Sequence, residues 1–301
     1  MRSLLLPAAL CVTCALGQTN EIVRRAVISV STGRIQSNIE KLITFGERTP
    51  QANVSNKVPE WIMGEFRSYS PQLKVDISEW ASDRNLPPIH NVVAILPGTA
   101  TPGKQILLTA HYDSRVGVGA SDNAAGTAAM METARILSQR TWPMTLVFIA
   151  FDAEEVGLLG SKVEASEAKR EGRQIEAVIN ADVVGNGPKD KDVEGPRLLV
   201  FGGTNALLPP ARLATFIQRT GERYTDMQIE VVYKQDGPTH ASDHMPYQDA
   251  GFAAIRLLTP HETRTDHHSL KDTIDKVSFT YTALVAKVMV SAAASLALGL
   301  N

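Results

Sequence analysis

The chain has 301 residues, of which 44% are hydrophobic and 21% charged, with a formal net charge of −2. That is the composition of an ordinary soluble globular enzyme. It lacks the basic footprint of a nucleic-acid binder and the polybasic patch of a protein that docks on anionic lipid.

The chain opens with MRSLLLPAALCVTCALGQ. Arg2 precedes a short apolar run, and Ala15 and Gly17 are the small residues of a cleavage site before Gln18. The pattern predicts a signal peptide over residues 1–17 and a single catalytic domain over 18–301. The run is shorter than the roughly 20 apolar residues of a membrane span. Both cysteines, Cys11 and Cys14, fall inside it. A secreted or periplasmic protein is expected, with no membrane contact after processing and a core that holds without disulfides.

Residues 20–70 read as helical, with Ile35, Ile39 and Leu42 at helical spacing and a second amphipathic segment in KVPEWIMGEFRSY. The rhythm then changes. β-rich runs appear at LKVDISEW, NVVAIL, QILLTA, TLVFIAF, AVINA, LLVF, IEVVY and FAAIRL, with helical candidates at 124–140, 158–170 and 207–222. Strands alternating with helices predict an α/β sandwich around a largely parallel sheet. The continuous apolar runs fit strands covered on both faces. VVGNGPKDKDVEGPR reads as a loop leaving that domain, not a boundary. The last apolar run, 283–300, is interrupted by Lys287 and diluted by Ala and Ser, so a helix packed on the core is expected.

The acids and histidines at strand ends form a series. LLTAHYDSR ends in His111 and Asp113, and SDNAAG carries Asp122 before a helix. FIAFDAEE ends in Asp152, Glu154 and Glu155; INADVVG holds Asp182; TDHHSLKDT holds His267 and His268. Ligands of open α/β sheets bind beyond the carboxyl ends of the strands, and four of these five places are expected there, so that they could converge. His111 and Asp113, two apart, project to one side of extended chain, which suits a metal-bound imidazole with a supporting acid. Asp122 also fits a helix N-cap, but Gly117, Gly119 and Ala120 before it allow backbone to crowd a site. Asp182 ends an apolar strand, where a charge must be paired with Lys or Arg or bound to metal. Asp243 and His244 in SDHMPYQDAGF are either ligands or polar support.

The best set is His111, Asp122, Glu155, Asp182 and His268: two imidazoles, three carboxylates and no thiolate. It differs from a structural zinc site and suits two divalent metals sharing a carboxylate. Adjacent glutamates then divide the work, one on metal and one exchanging protons with water and the leaving amine.

In this order HYDS, SDNAAG, FIAFDAEEVGLLGS, INADVVG, SDHMPYQDAGF and HHSLKDT resemble the co-catalytic di-zinc aminopeptidases, metallopeptidase clan MH, family 28. The resemblance runs from about Ile35 to Leu298. It implies a three-layer α/β/α sandwich with a mixed, largely parallel sheet, of the zinc-exopeptidase (phosphorylase/hydrolase-like) type. It also implies two Zn2+ per chain: His111 and Asp182 on one, Glu155 and His268 on the other, Asp122 bridging. Glu154 would be the general base and acid, Asp113 would orient His111, and a cis peptide would follow Asp122. The reaction implied is attack of metal-bound hydroxide on the first peptide bond of a substrate with a free N-terminus; a monomer is expected. DHHSLKDT departs from the common Tyr-His-Thr-Pro, leaving His267 as a competitor for the last ligand, and Asn123 stands where many relatives have Asp. The alternatives are a one-zinc glutaminyl cyclase, a dipeptidase or carboxypeptidase of the same fold, and a binding protein on the same scaffold with a dead metal site.

Overall fold

The computed structural model describes residues 19–52, 57–82, 86–187, 195–233, 241–261 and 266–300. The signal segment 1–17, with Cys11 and Cys14, lies outside the described residues, as do 188–194 of the long polar loop.

Among the described residues, the leading helices include α1 (Glu21–Ile28), α2 (Thr32–Ile43) and α3 (Val58–Tyr69). Asn20 caps α1 through its side chain and Ser31 caps α2, satisfying N–H groups that a helix start leaves unpaired. The strands are β1 (Lys74–Trp80), β2 (Ile89–Leu96), β3 (Thr101–His111), β4 (Met144–Phe151), β5 (Gln174–Ala181), β6 (Arg197–Phe201), β7 (Gln228–Val232) and β8 (Ala254–Leu258). Between them lie α4 (Gly126–Leu137), α5 (Leu159–Arg170), α6 (Pro209–Tyr224) and α7 (His244–Ala250), and α8 (Phe279–Ala297) closes the chain. Each β-rich run of the sequence is a strand in this set.

Among the described residues, the strands form one eight-stranded sheet in the order β1-β2-β4-β3-β5-β8-β6-β7. The central β4-β3-β5-β8 block is parallel, while β1-β2, β2-β4 and β6-β8 pair antiparallel. Side-chain alternation divides the core. Ile106, Leu108, Ala110, Phe148, Ile179 and Leu257 join the larger cluster, on the face covered by α1–α4, α6 and α8. Leu107, Val147, Ile149, Phe151 and Val178 join the smaller one, under α5 and α7. Helices on both faces make three layers.

Helix α8 is long and apolar enough to cross a membrane by length and composition. Val285, Ala286, Val288, Met289, Val290 and Ala292–Ala294 are fully buried in the larger core, as expected of a packed helix.

Candidate metal centre

The centre lies beyond the carboxyl ends of β3, β4 and β5. His111 is the last residue of β3, Glu154 and Glu155 follow β4, and Asp182 follows β5. Asp122 arrives from a kinked turn, Ala120–Ala125, in which Asp122 and Asn123 are non-helical, and His267 and His268 come from the segment before α8. Asp122 is no helix cap: α4 starts at Gly126 with Ala125 at its N-cap, and the Asp122–Asn123 peptide is cis. Asn123 fastens this turn to the sheet by donating to the Ala181 carbonyl at 2.9 Å and accepting from Gly126 N at 3.1 Å. A Cβ on Gly119 would sit 2.2 Å from the Asp122 carbonyl oxygen, so the backbone crowding read from the small residues is present.

Two clusters share Asp122. Its Oδ1 lies 3.3 Å from His111 Nε2, which lies 3.2 Å from Asp182 Oδ1. Its Oδ2 lies 3.2 Å from His268 Nε2, which lies 2.8 Å from Glu155 Oε2. Four ligands at about 2.0–2.1 Å from a zinc ion lie about 3.3 Å apart, so these atoms have the spacing of a zinc shell. Among the described residues, Glu155 Oε1 is buried without a hydrogen-bond partner, an orphan acceptor that a cation would satisfy. The donor set therefore fits divalent metal. The structure brings together His111, Asp122, Glu155, Asp182 and His268 as a group.

The glutamates diverge as neighbours on extended chain should. Glu155 faces His268, while a Glu154 oxygen lies within 4.8 Å of ligand atoms of His111 and Asp182. Asp113, fully buried, touches both halves of the design. Its Oδ1 lies 3.3 Å from His111 Nδ1, and its two oxygens accept the backbone N–H groups of Glu154 and Glu155, each at 3.1 Å. Asp152 instead accepts from His90 N and Ala153 N, a structural role.

His267 also reaches Asp122, at 2.8 Å. Adjacent residues on extended chain point apart, but His268 adopts φ 50°, and the two rings lie tilted at 57° with centroids 3.8 Å apart. His268 is the better fit to the last ligand because it meets both Asp122 and Glu155. Ala153 and Val183 share the left-handed backbone region, at φ 58° and 52°, and flank Glu154 and Asp182. Such strain in non-glycine residues clusters at functional sites.

Protons and charges record the crowding. Burial, reinforced by the Asp122 charge, pushes Glu155 up to about 7. Burial drives Glu154 well above the usual carboxylate range, with His111 opposing it. Hydrogen bonds to Asp122 and Glu155 raise His268 to about 9. Burial works against protonation of His111, but Glu154, Asp182, Asp113 and Asp122 outweigh it and hold its pKa well above the usual value. For Asp122, burial is overcome by the three imidazoles, which keep it well below the usual range. Asp182 is also buried, yet Arg256 and then His111 take it down to about 2. Protons thus sit where dications would, and metal binding would release them.

Four residues escaped sequence reasoning. Asp272 accepts from Ser121 N at 2.8 Å and Asp122 N at 2.9 Å, pinning the shared carboxylate; its place four residues after His268 was the available signal. Arg48, fully buried, donates to the carbonyls of Tyr112, Val118 and Gly119 and holds the loop between His111 and Asp122. Arg256 of β8 pairs with Asp182 Oδ2 at 3.0 Å. Arg115 lines a cavity of about 410 Å3 with Thr49, Pro50, Asp113, Ser114, Glu155 and Val156. Asp243 and His244 are buried and belong to neither candidate ligand cluster among the described residues; burial pushes Asp243 up to about 7.

Solved structures share this architecture. They include an aminopeptidase, LapA, of Legionella pneumophila (TM-score 0.79, 19% identity, 95% of this chain and 79% of that one). An aminopeptidase from Aneurinibacillus sp. strain AM-1 gives 0.74 at 17% identity, over 92% and 96% of the two chains. A glutaminyl cyclase of Porphyromonas gingivalis gives 0.69 at 20% identity, over 87% and 97%. The fold is that of the zinc exopeptidases. The model of peptidase family M28 matches residues 91–293, and the chain belongs to that family of zinc metallopeptidases. A probable zinc metalloprotease of Leptosphaeria maculans is 32% identical over 89% of this chain and 74% of its own length. One of Pyricularia oryzae is 32% identical over 90% of this chain, which spans 65% of that relative.

Proposed function

We propose that the chain is an aminopeptidase working with two zinc ions on peptides with a free N-terminus. The observation that carries the reading is the shared Asp122, whose oxygens face separate clusters: His111 with Asp182, and His268 with Glu155. His111, Asp182 and Asp122 would hold one ion; Glu155, His268 and Asp122 the other. Bound zinc would polarise the scissile carbonyl and acidify water.

The remaining work falls to the chain. Glu154, not needed as a ligand, takes a proton from the attacking water at its carboxylate and returns it to the departing amine nitrogen. Asp113 orients the His111 ring and, through the two amide N–H groups, fixes where each glutamate points. The cavity beside Glu155 is of a size to admit one or two residues of a peptide. The chain acts as a monomer outside the cytoplasm, secreted or periplasmic, after loss of residues 1–17; nucleic acid and membrane are not its partners.

The test is a substrate panel on the zinc-loaded chain: aminoacyl anilides, the same peptides acetylated at the N-terminus, carboxyl-blocked peptides and N-terminal glutaminyl peptides. Release of the first residue from free-amine peptides alone supports the reading. Cleavage of acetylated peptides or a demand for a free carboxylate refutes it, and ring closure without hydrolysis assigns a glutaminyl cyclase instead.

A further inference from the structure

Arg256 is the odd residue of β8. The strand reads AIRLL, every position is buried, and Arg256 is 3% exposed. Burying a guanidinium costs more than burying a Met or Leu of similar size, and even a well-made ion pair seldom recovers the difference. The register explains where the side chain goes. Thr109 of β3 pairs with Asn180 of β5, and Asn180 pairs with Arg256 of β8. His111 and Asp182 lie two residues further along on the same face. Reaching forward by that step, Arg256 Nη2 meets Asp182 Oδ2 at 3.0 Å, while Asp182 Oδ1 faces His111 Nε2 at 3.2 Å. The Asp182 backbone is held too, its N–H donating to the Leu257 carbonyl at 3.1 Å.

The two halves of the centre are therefore unequal. In one, the Asp182 carboxylate has an oxygen engaged by a fixed cation, so it can offer a metal only Oδ1 and only part of its charge. In the other, Glu155 keeps Oε1 without a hydrogen-bond partner among the described residues and pairs through Oε2 with an imidazole. A dication beside Asp182 also feels direct repulsion from the guanidinium behind it, in a buried setting where screening is weak.

We propose that Arg256 is a positioning residue that holds Asp182 to one-oxygen ligation and makes the two metal positions unequal, with the His111/Asp182 position the weaker. This rests on the two-zinc reading above. Its consequence is an order of loading: the Glu155/His268 position fills first, and the His111/Asp182 position follows at higher free zinc.

The experiment is stepwise titration of chelator-stripped full-length protein with zinc by calorimetry, repeated with cobalt(II) and read by its visible spectrum. Wild type is compared with R256M, R256Q and R256K, each checked for native circular dichroism. R256Q guards against failure to fold, since it keeps a hydrogen-bond donor near Asp182 while removing the charge. Wild type is expected to take two equivalents with dissociation constants at least tenfold apart. R256M and R256Q tighten the weaker step by at least tenfold, so the two converge, and R256K keeps the gap. The inference is overturned if wild-type steps are equal, or if folded R256M and R256Q leave the weaker step unchanged or weaken it further. One equivalent in wild type and two in R256Q also supports it. One equivalent in wild type and in each variant defeats the two-zinc reading itself, and the inference with it.

Discussion

Replacing Asp113 by Asn tests whether one buried carboxylate serves both halves of the centre. Asp113 accepts two backbone N–H groups at 3.1 Å and lies 3.3 Å from His111 Nδ1, at no solvent exposure. Asn has nearly the same shape but one acceptor oxygen. If that oxygen keeps Glu154 N–H and His111, the amide nitrogen meets Glu155 N–H donor to donor. One hydrogen bond to a charged acceptor is lost, about 1.5–3 kcal/mol, and the buried N–H is left unsatisfied. D113N should therefore lose about 1.5–3 kcal/mol of stability in chelator, measured by urea unfolding. Losing the carboxylate behind His111 should also weaken zinc binding by about 10–100-fold, measured by competition with a chromophoric chelator. Unchanged stability together with wild-type zinc affinity would refute the reasoning, since neither the amide contacts nor the His111 contact would then carry weight.

Glu154→Gln should retain zinc while kcat falls by about 10²–10⁴; an active variant removes Glu154 from the chemistry. Zinc-free protein should lose stability as pH rises. Glu155 at about 7 and His268 at about 9 have native pKa values above their unfolded ones of about 4.3 and 6.5. Their contributions are thus complete below the unfolded values and disappear as pH climbs through about 7 and then about 9. Thermal melts in chelator should fall from pH 5 to pH 9, and zinc, which replaces those protons, should reverse the trend; a flat profile in chelator contradicts this. Gly119→Ala places a Cβ 2.2 Å from the Asp122 carbonyl oxygen, at φ 50°, with Ser114 Cβ 2.6 Å away. That overlap has no flexible side-chain end to yield, so denaturant unfolding should show a loss of at least about 3 kcal/mol; wild-type stability would mean the turn relaxes.

Much of the site was legible because its residues carry local signals. His111 and Asp113 follow an apolar run, and so do Glu154 and Glu155, so the strand ends themselves pointed to them. The divergence of the two glutamates follows from extended backbone alone. That both histidines reach one carboxylate was not legible, because it depends on a single left-handed residue, His268, and nothing in an apolar or polar pattern announces a positive φ outside glycine. Arg256 read as one residue of a buried strand, and its partner Asp182 belongs to a neighbouring strand in space only. Asp272 pins a turn 150 residues earlier, a contact of the same kind.

The sequence by itself determined the elements, since burial periodicity, caps and strand-end acids are properties of short stretches of chain. It also determined the donor types, two imidazoles and three carboxylates, and hence the class of metal they suit. The resemblance read from the sequence already named Asp122 as the shared acid and set Glu155 with His268; the tertiary structure alone decided the spacing among these atoms and which ligand is opposed by a buried guanidinium. Those outcomes depend on the strand order β4-β3-β5-β8 and on register between strands far apart in the chain. Charges interact through space, so their balance is set only when the sheet has brought them within a few ångströms.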